Sequence, residues 1–305
     1  MRALYRNRFP ELLTAAEKEQ VQWVQGDILD TDWLRDQLRE CTEVYHCAGM
    51  VSFSPSRYGQ MYRTNVDGTT NVVNAALDSG IRKMVHVSSV SALGRKRDHA
   101  VITEQVKWDE DANLSAYGKT KYLAELEVWR GIAEGLDAVI INPAIILGVG
   151  NWNEGSSAMF KNAWKEFPWY TDGTSGFVDA ADVAEIMTRL MDGPHTAERY
   201  VIAAENWGYR EVFAAMARAF GKKEARRKAS PWMGEIVWRL EKLKSLFSEA
   251  EPLLTRETAE TAQMHVQYDA SKLLAALPDF RFRPLAGSIT EYCHQYLVKM
   301  GLRPQ

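Results

Sequence analysis

The chain has 305 residues, of which 46% are hydrophobic and 25% charged, a composition typical of a globular protein that excludes a coiled coil or a wholly disordered chain. The net charge is −3, so bulk electrostatics do not favour nucleic-acid binding. No apolar run approaches the roughly 18 residues of a membrane span, and the three cysteines lack a metal-binding spacing. We therefore expect a cytoplasmic protein without a metal site, a nucleic-acid partner or an integral membrane segment.

Short apolar runs alternate with helical patterns over the first two-thirds of the chain. Strands are predicted at residues 21–24, 43–48, 83–88 and 138–141, and helices at residues 33–39, 58–79 and 116–134. Gly80 and Gly135 end the two longer helices. This alternation predicts a parallel sheet with helices on both faces, and the nearly continuous apolar strands indicate burial on both sides.

Beyond residue 150 the regular alternation ends. Residues 151–176 predict loops around one short helix, residues 180–191 a helix and residues 200–203 a strand, with mostly helices from Tyr209 onwards. We expect an α/β protein with a first domain over residues 1–150, on which residues 176–203 pack back. A smaller, mostly helical domain is expected over residues 151–175 and 204–305.

Tyr117 and Lys121 stand four residues apart in a predicted helix, so they share one face. A free tyrosine has a pKa of about 10, and a neighbouring cation lowers it, so the pair predicts an acid/base device for alcohol–ketone interconversion. The chain contains a second copy of this pattern, Tyr268 and Lys272. Context favours Tyr117, because it follows Ser89 at a strand end, where ligand groups collect in parallel sheets, whereas Tyr268 lies in the irregular C-terminal part.

Further segments accompany this pair in a fixed order along the chain. They are residues 26–29 (Gly-Asp-Ile-Leu), 45–49 (Tyr-His-Cys-Ala-Gly), 65–71 (Asn-Val-Asp-Gly-Thr-Thr-Asn), 87–89 (Val-Ser-Ser), 142–148 (Asn-Pro-Ala-Ile-Ile-Leu-Gly) and 177–182 (Phe-Val-Asp-Ala-Ala-Asp). From residue 2 to near residue 290 the chain resembles the extended short-chain dehydrogenases/reductases, the group with the NAD-dependent epimerase/dehydratase domain. The resemblance implies a Rossmann-type, doubly wound parallel sheet.

The resemblance also implies catalytic roles for four residues. Ser89 would hydrogen-bond the substrate oxygen, and Tyr117 would donate or accept the proton. Lys121 would hold the nicotinamide ribose and tune Tyr117. Asn65 would fix a backbone carbonyl or a water behind Lys121, although an ordinary helix-interior asparagine remains an alternative.

A dinucleotide cofactor is implied as well. The residues expected to contact it are Arg6, Asp27, Ile28, Ala48, Gly49, Tyr117, Lys121 and Pro143. An ordinary turn aspartate remains an alternative for Asp27, and a solvated surface arginine for Arg6. Because Arg6, with Asn7 and Arg8 behind it, suits a 2′-phosphate, we expect NADP, with NAD as the alternative.

One element of that family is missing from the sequence. The family begins with a strand, a glycine-rich turn and a helix, which together hold the pyrophosphate, whereas residues 1–6 here resemble the family's second strand. Loss of the first strand predicts that the second and fourth strands stand about 10 Å apart with unpaired edges. A start recorded too late, a fragment, and a degenerate member without dinucleotide binding are the explanations left open. The presence of all the catalytic residues favours the first two.

The expected function is that of an oxidoreductase that interconverts a ketone and an alcohol on a small, hydrophobic substrate. The segment 87–90 lacks the acidic residues that sugar-nucleotide dehydratases carry after the serine, and the chain looks more like the dihydroflavonol-reductase and 3β-hydroxysteroid-dehydrogenase branches. A sugar-nucleotide epimerase is the second hypothesis. A catalytically silent sensor that binds a dinucleotide or a protein is the third. A homodimer is compatible with each.

A last prediction concerns residues 231–247, whose apolar positions recur at three- and four-residue steps. The pattern predicts a helix whose apolar face covers a hydrophobic substrate cleft. Plain core packing and contact with a membrane surface are the two alternatives.

Overall fold

In a computed structural model of the chain, the described residues are 1–7, 9, 13–94, 101–108, 115–230, 232–233, 238–239 and 256–302. The helix predicted for residues 231–247 therefore lies almost entirely outside the described residues, and so does Arg8.

Short strands and helices alternate from the first residues onwards. The strands are β1 (Arg2–Tyr5), β2 (Gln22–Gln25), β3 (Glu43–His46), β4 (Lys83–Val87), β5 (Val101–Ile102), β6 (Ala138–Pro143), β7 (Ile145–Leu147), β8 (Trp169–Tyr170), β9 (Thr174–Asp179), β10 (Glu198–Ile202), β11 (Glu205–Gly208), β12 (Arg227–Lys228) and β13 (Gln267–Tyr268). The helices are α1 (Ala15–Glu19), α2 (Thr31–Leu38), α3 (Tyr58–Tyr62), α4 (Gly68–Asp78), α5 (Ala116–Ala133), α6 (Ser157–Trp164), α7 (Ala180–Asp192), α8 (Tyr209–Ala219), α9 (Arg256–Thr261), α10 (Ser271–Ala276) and α11 (Leu285–Lys299). The strands and helices predicted up to residue 203 are confirmed to within a few residues, whereas the short strands β5, β7, β8 and β9 were not predicted.

The central sheet has four parallel strands in the order β10-β6-β4-β3. In its register Val85 of β4 lies between Tyr45 of β3 and Val139 of β6. All residues of β6 are buried, which explains why this strand shows no alternation of polar and apolar positions. The predicted Rossmann-type parallel sheet is confirmed.

Helices cover both faces of this sheet. Alternate residues of a strand point to opposite faces, so Met84 and Ile140 pack with α2, α4 and α5, while Val85 and Ile141 pack with α7 and α10. The two apolar layers hold the carboxyl ends of β3, β4 and β6 at one edge of the sheet. None of the described helices is long and apolar enough to cross a membrane.

The sheet is interrupted next to β3. β1 pairs with β2 as a separate parallel unit, and within the described residues neither β1 nor β3 pairs with a further strand. Both strands line a single cavity of about 1100 Å³, together with Val24, Trp33 and Val72. The prediction that these two strands do not pair is thus confirmed, and backbone groups on the facing edges lack a strand partner within the described residues.

A second, smaller sheet has the order β11-β9-β7, in which β9 runs parallel to β7 and antiparallel to β11. Helices α6, α8 and α11 pack on it around Phe160, Phe177 and Tyr296. Tyr292 of α11 donates a hydrogen bond of 2.6 Å to Asp179, which also caps α7. Within residues 176–203, β10 belongs to the central sheet and α7 packs on that sheet, whereas β9 belongs to the smaller sheet.

Gly118, in the first turn of α5, permits this helix to pack closely on the turn Val90–Ala92. A Cβ atom at Gly118 would lie 2.4 Å from the carbonyl oxygen of Ser91. We expect Gly118→Ala to lower the free energy of unfolding by about 1–3 kcal/mol, because backbone must move to relieve the clash.

Gly59 in α3 is the matched control, since a Cβ atom there meets nothing within 4 Å. Gly59→Ala is expected to be neutral or to stabilise by up to about 1 kcal/mol, because alanine favours a helix. Urea unfolding of both variants measures the difference. Equal stabilities would contradict the close packing of α5.

Candidate active site

The residues singled out from the sequence converge at the carboxyl ends of the central strands. Ser89 follows β4, Gly49 follows β3, and Pro143 ends β6. Tyr117 lies in the first turn of α5, which the Ser115 hydroxyl caps by accepting a hydrogen bond from the Gly118 N–H. Carboxyl ends of parallel strands meet at one edge, where ligands bind in open α/β sheets.

The Ser89 hydroxyl lies close enough to the Tyr117 phenol to lower its pKa, against the larger effect of burial. The Ser89 Oγ also accepts a hydrogen bond of 3.1 Å from the Ser91 N–H, which starts the turn Val90–Ala92. The ring of Phe53 stands edge-on to the Tyr117 ring, with 6.1 Å between their centroids. A serine hydroxyl and a phenol are thus held side by side under an aromatic side chain.

The protonation of Tyr117 differs from the prediction. Burial raises the pKa of Tyr117 and the hydrogen bond with Ser89 opposes that rise, whereas the sequence predicted a pKa lowered by Lys121. The prediction is wrong for this structure, because the Lys121 Nζ donates a hydrogen bond of 2.8 Å to the carbonyl oxygen of Val87 instead. The phenol is therefore a proton donor at neutral pH.

Lys121 lies on the buried side of α5, with 5% of its surface exposed. Burial lowers the pKa of Lys121 to about 8, while the charges of Glu125 and Cys47 oppose this effect. The ammonium group therefore depends on its few polar neighbours to remain charged at neutral pH.

Asn65 lies in the π-turn Arg63–Asp67, which interrupts the helix predicted for residues 58–79. Its Oδ1 accepts a hydrogen bond of 2.7 Å from the Met50 N–H. Its Nδ2 donates to the carbonyl oxygen of Met50 at 2.9 Å and to the Thr120 hydroxyl at 3.0 Å. Asn65 thus ties the loop after β3 to α5, next to Lys121.

Gly49 belongs to the same loop. A Cβ atom at this position would lie 3.4 Å from the Asn65 Oδ1 and 3.8 Å from the Lys121 Nζ. A side chain at this position would therefore crowd the Asn65 amide and the Lys121 ammonium.

Arg6 and Asp27, expected at the adenosine end, follow the carboxyl ends of β1 and β2. Arg6 and Asp27 form an ion pair with 3.6 Å between Nη1 and Oδ2, and both are partly exposed. The Asp27 Oδ1 also accepts a hydrogen bond from the Leu29 N–H, as a turn aspartate does. Ile28 is buried against Gly68, and Ala48 packs on the same apolar layer.

Two buried histidines in the strands beneath the site had no place in the sequence predictions. His46 and His86 are paired across β3 and β4, with 5.0 Å between ring centroids. The Thr69 hydroxyl donates to the carbonyl oxygen of Asn65, so the His46 Nε2 donates to the Thr69 oxygen, 2.9 Å away. The sequence does not predict the contact between His46 and His86, because it depends on the register of β3 and β4.

The second Tyr–Lys pattern is not assembled in the same way. The Lys272 Nζ binds Glu198 and the carbonyl oxygen of Arg199. Tyr268 is buried in β13, which pairs with β5, so the expectation of an irregular surrounding for Tyr268 is wrong. Within the described part of the chain, no cluster of three or more His, Cys, Asp or Glu side chains is arranged to hold a metal ion.

Comparison with known families agrees with this arrangement. The profile of the NAD dependent epimerase/dehydratase family matches residues 3–203, which include the central sheet, Ser89, Tyr117 and Lys121. The chain belongs to this family. Its members include NAD(P)-dependent reductases, epimerases and dehydratases of the extended short-chain dehydrogenase type.

Individual relatives resemble the chain over most of its length. A protein of Synechocystis sp. named as a dihydroflavonol 4-reductase is 27% identical over 266 residues, which cover 84% of this chain and 76% of the relative. Cinnamoyl-CoA reductase 1 of Petunia hybrida is 28% identical over 252 residues, which cover 77% and 74%. The crystal structure of gox2253 shares the fold with a TM-score of 0.80 at 24% identity, covering 99% of this chain and 91% of that one.

The buried histidines predict a dependence of stability on pH. Burial and the charge of Lys121 lower the pKa of His46 from 6.5 to about 3, and lower that of His86 well below 6.5. The unfolded chain therefore binds more protons than the folded one below pH 6.5, and stability falls as the pH falls. For His46 the loss between pH 6.5 and pH 5 is about 1.6 kcal/mol, and His86 adds to it in the same direction.

His86→Leu tests this dependence, since neither ring nitrogen of His86 has a hydrogen-bond partner to lose. The variant is expected to lose less stability than the wild type between pH 7 and about pH 5, measured by urea unfolding. His265→Leu, at an exposed position, is the control and should follow the wild type. An unchanged acid sensitivity in His86→Leu would contradict the assignment.

Proposed function

We propose that the protein is an NAD(P)-dependent oxidoreductase that interconverts a ketone and an alcohol on a small, hydrophobic substrate. The observation that carries this proposal is the Ser89–Tyr117 pair at the end of β4, with the buried Lys121 one helical turn further along α5. An oxygen atom held between the two hydroxyl groups receives a proton from one and a hydrogen bond from the other.

The nicotinamide end of a dinucleotide fits the surroundings of Lys121. An ammonium group has three donors, of which the Val87 carbonyl uses one, so two can bind the ribose hydroxyls. Gly49 supports this fit because it carries no side chain that would crowd the ammonium. When bound, the nicotinamide supplies or accepts the hydride. Within the described residues no glycine-rich strand–turn–helix adjoins the cavity, and we assign no residue to the pyrophosphate.

In the reducing direction, Tyr117 would donate its phenolic proton to the oxygen of the substrate carbonyl as that carbonyl is reduced. Burial raises the pKa of Tyr117, which keeps the phenol in the protonated form that this step requires. Ser89 hydrogen-bonds the same oxygen as charge develops there. The phenolate then regains a proton from solvent, so the alcohol is formed with no net change in the enzyme.

A hydrophobic substrate is supported by the side chains that flank the pair. Phe53 lies against Tyr117 and is 39% exposed, and Val51 on the same loop is 54% exposed. Exposed apolar groups beside a few convergent polar ones are typical of sites for apolar ligands. The names of the two curated relatives, both reductases, support the same reaction class. We propose that residues 151–175 and 204–305 form the smaller domain that binds the substrate.

Two other functions have an observation in their favour. The family description names epimerases, which favours a sugar-nucleotide epimerase. A sugar-nucleotide dehydratase is disfavoured, because segment 87–90 lacks the acidic residues that such dehydratases carry after the serine. The cavity between β1 and β3 favours a catalytically silent sensor, because a divided sheet does not offer a continuous cradle for a dinucleotide. The assembled Ser89–Tyr117 pair speaks against a silent protein.

Tyr117→Phe tests the catalytic assignment, because it removes only the phenolic oxygen. We expect turnover of apolar ketones with NADPH to fall by about 100-fold or more, with dinucleotide affinity and melting temperature nearly unchanged. Tyr268→Phe is the control and should retain most of the activity. The assay follows NADPH oxidation over a panel of apolar ketones. A larger loss in Tyr268→Phe would contradict the choice of Tyr117.

The cofactor preference is tested at Arg6. Its guanidinium lies beside Asp27 at the adenosine end, and we propose that it binds the 2′-phosphate of NADP. Arg6→Asp is expected to weaken NADP(H) binding by about tenfold or more, with a smaller effect on NAD(H), as calorimetric titration measures. Arg39→Asp is the control, because Arg39 directly follows α2 and its side chain is 76% exposed. Equal losses for both cofactors would contradict the proposal.

A further inference from the structure

Glu125 is a buried carboxylate that the proposed chemistry does not use. It stands on α5 four residues after Lys121 and eight after Tyr117, so all three lie on neighbouring positions of one helix face. Only 1% of its surface is exposed. Burying a carboxylate is unfavourable unless its oxygens are hydrogen-bonded, so its partners indicate what it does.

Those partners are the ends of the two central strands. The Ser88 hydroxyl at the end of β4 donates to the Glu125 Oε1 at 2.5 Å. The Asn142 Nδ2 in β6 donates to the same oxygen at 2.5 Å and to the carbonyl oxygen of Ser89 at 3.0 Å. The Arg199 Nη1 in β10 lies 3.4 Å from the other carboxylate oxygen. One carboxylate thus connects α5 to three strands.

We infer that Glu125 is a positioning residue, which holds Ser89 in register with Tyr117 by binding the strand ends through Ser88 and Asn142. Ser88, the residue before Ser89, donates a hydrogen bond to Glu125. Asn142 donates both to Glu125 and to the carbonyl oxygen of Ser89. The main chain of Ser89 is therefore tied to Glu125 in two ways. Since Tyr117 belongs to the same helix as Glu125, this carboxylate helps to fix the distance between the Ser89 and Tyr117 hydroxyls, together with the Lys121–Val87 hydrogen bond and the packing of Gly118 on Ser91. The inference rests on the proposed function only where it is tested by enzyme activity; the test by the pKa of Lys121 does not depend on that function.

The charge of Glu125 has a second effect, on Lys121. The groups that face the ammonium are Glu125 and Cys47, whose charges oppose the effect of burial, and the two histidines, whose pKa values its own charge lowers. Burial raises the pKa of Glu125, while Ser88, Arg199 and Asn142 hold it down. Burial lowers the pKa of Lys121, and the negative charge of Glu125 raises it. When that charge is removed, the pKa of Lys121 falls below about 8.

Two variants separate the two effects. Glu125→Gln keeps an oxygen that accepts from Ser88 and Asn142 but removes the charge, whereas Glu125→Ala removes both. Glu127→Gln is the matched control, because Glu127 lies on the same helix and binds Arg130 near the surface.

The first readout is independent of catalysis. NMR titration of lysine side chains labelled with ¹⁵N, with the Lys121 signal assigned by its loss in Lys121→Arg, gives the pKa of Lys121 in each variant. We expect at least about a threefold shift of the Lys121 protonation equilibrium toward the neutral amine in Glu125→Gln, and none in Glu127→Gln. An unshifted Lys121 in Glu125→Gln would overturn the electrostatic part, whether or not the protein turns over a ketone.

The second readout is the rate. Glu125→Ala should lower kcat by about tenfold or more while changing KM little, because a displaced Ser89 affects the transition state more than binding. Glu125→Gln should retain kcat near pH 6. As the pH rises, its kcat should fall at a lower pH than that of the wild type, because its Lys121 loses a proton earlier. A folded Glu125→Ala with wild-type kcat would overturn the positioning role. If this variant does not fold, a wild-type kcat in Ser88→Ala, which removes one of the hydrogen bonds between Glu125 and the strand ends, overturns it. A wild type inactive on every ketone contradicts the proposed function, and the NMR titration then decides the role of Glu125 alone.

Discussion

The packing of α5 on the ends of the central strands is the constraint on which the rest of the site depends. Lys121 donates to the carbonyl oxygen of Val87, and Glu125 accepts from Ser88, so the last residue of β4 and the residue after it are bound to successive turns of one helix. These bonds form in a buried region, where a hydrogen bond to a charged group is stronger than in water and its loss is more unfavourable. The close approach of Gly118 to Ser91 brings the start of the helix, and with it Tyr117, against the turn that follows Ser89.

The two ends of the implied dinucleotide site depend on different parts of the fold. The proposed nicotinamide end, around Lys121, is built on the central sheet, whose strands are buried between two helical layers. The proposed adenosine end, around Arg6, stands on the β1–β2 pair. Arg2 of β1 donates hydrogen bonds to the Gln37 carbonyl of α2 at 2.6 Å and to Glu40, just after that helix, at 3.0 Å. The cavity of about 1100 Å³ lies between these parts. Catalytic geometry at Ser89 and Tyr117 is therefore set independently of the contacts around Arg6.

The sequence predicted the parallel sheet because both faces of its strands are covered, and β6 is accordingly apolar along its length. It also predicted that Tyr117 and Ser89 approach, since strand ends and helix starts meet at one edge. It did not predict the direction of the Tyr117 pKa. Spacing of four residues brings Tyr117 and Lys121 to one face, but the ammonium of Lys121 turns to a carbonyl oxygen of β4, a contact between residues far apart in the chain.

The same reason explains what the sequence left out. Glu125 is a common residue in a helix, and its role depends on Ser88, Asn142 and Arg199, which come from three different strands. The π-turn that carries Asn65 was predicted as regular helix, because a π-turn has no distinct pattern of apolar residues. Contacts that depend on strand register and on the exact turn of a helix follow from the fold and not from local sequence.

Transfer of deuterium from NADPH labelled at the nicotinamide C4 position tests the central claim most directly. The purified protein is incubated with the labelled cofactor and an apolar ketone, and the product is analysed by mass spectrometry. Net reduction by hydride transfer predicts an alcohol that carries one deuterium on the carbinol carbon, formed in equal amount to the oxidised cofactor. An epimerase returns the hydride to its own substrate and gives no net cofactor oxidation. Binding of the cofactor without labelled alcohol from any ketone, or inversion of a sugar nucleotide without cofactor consumption, would contradict the account.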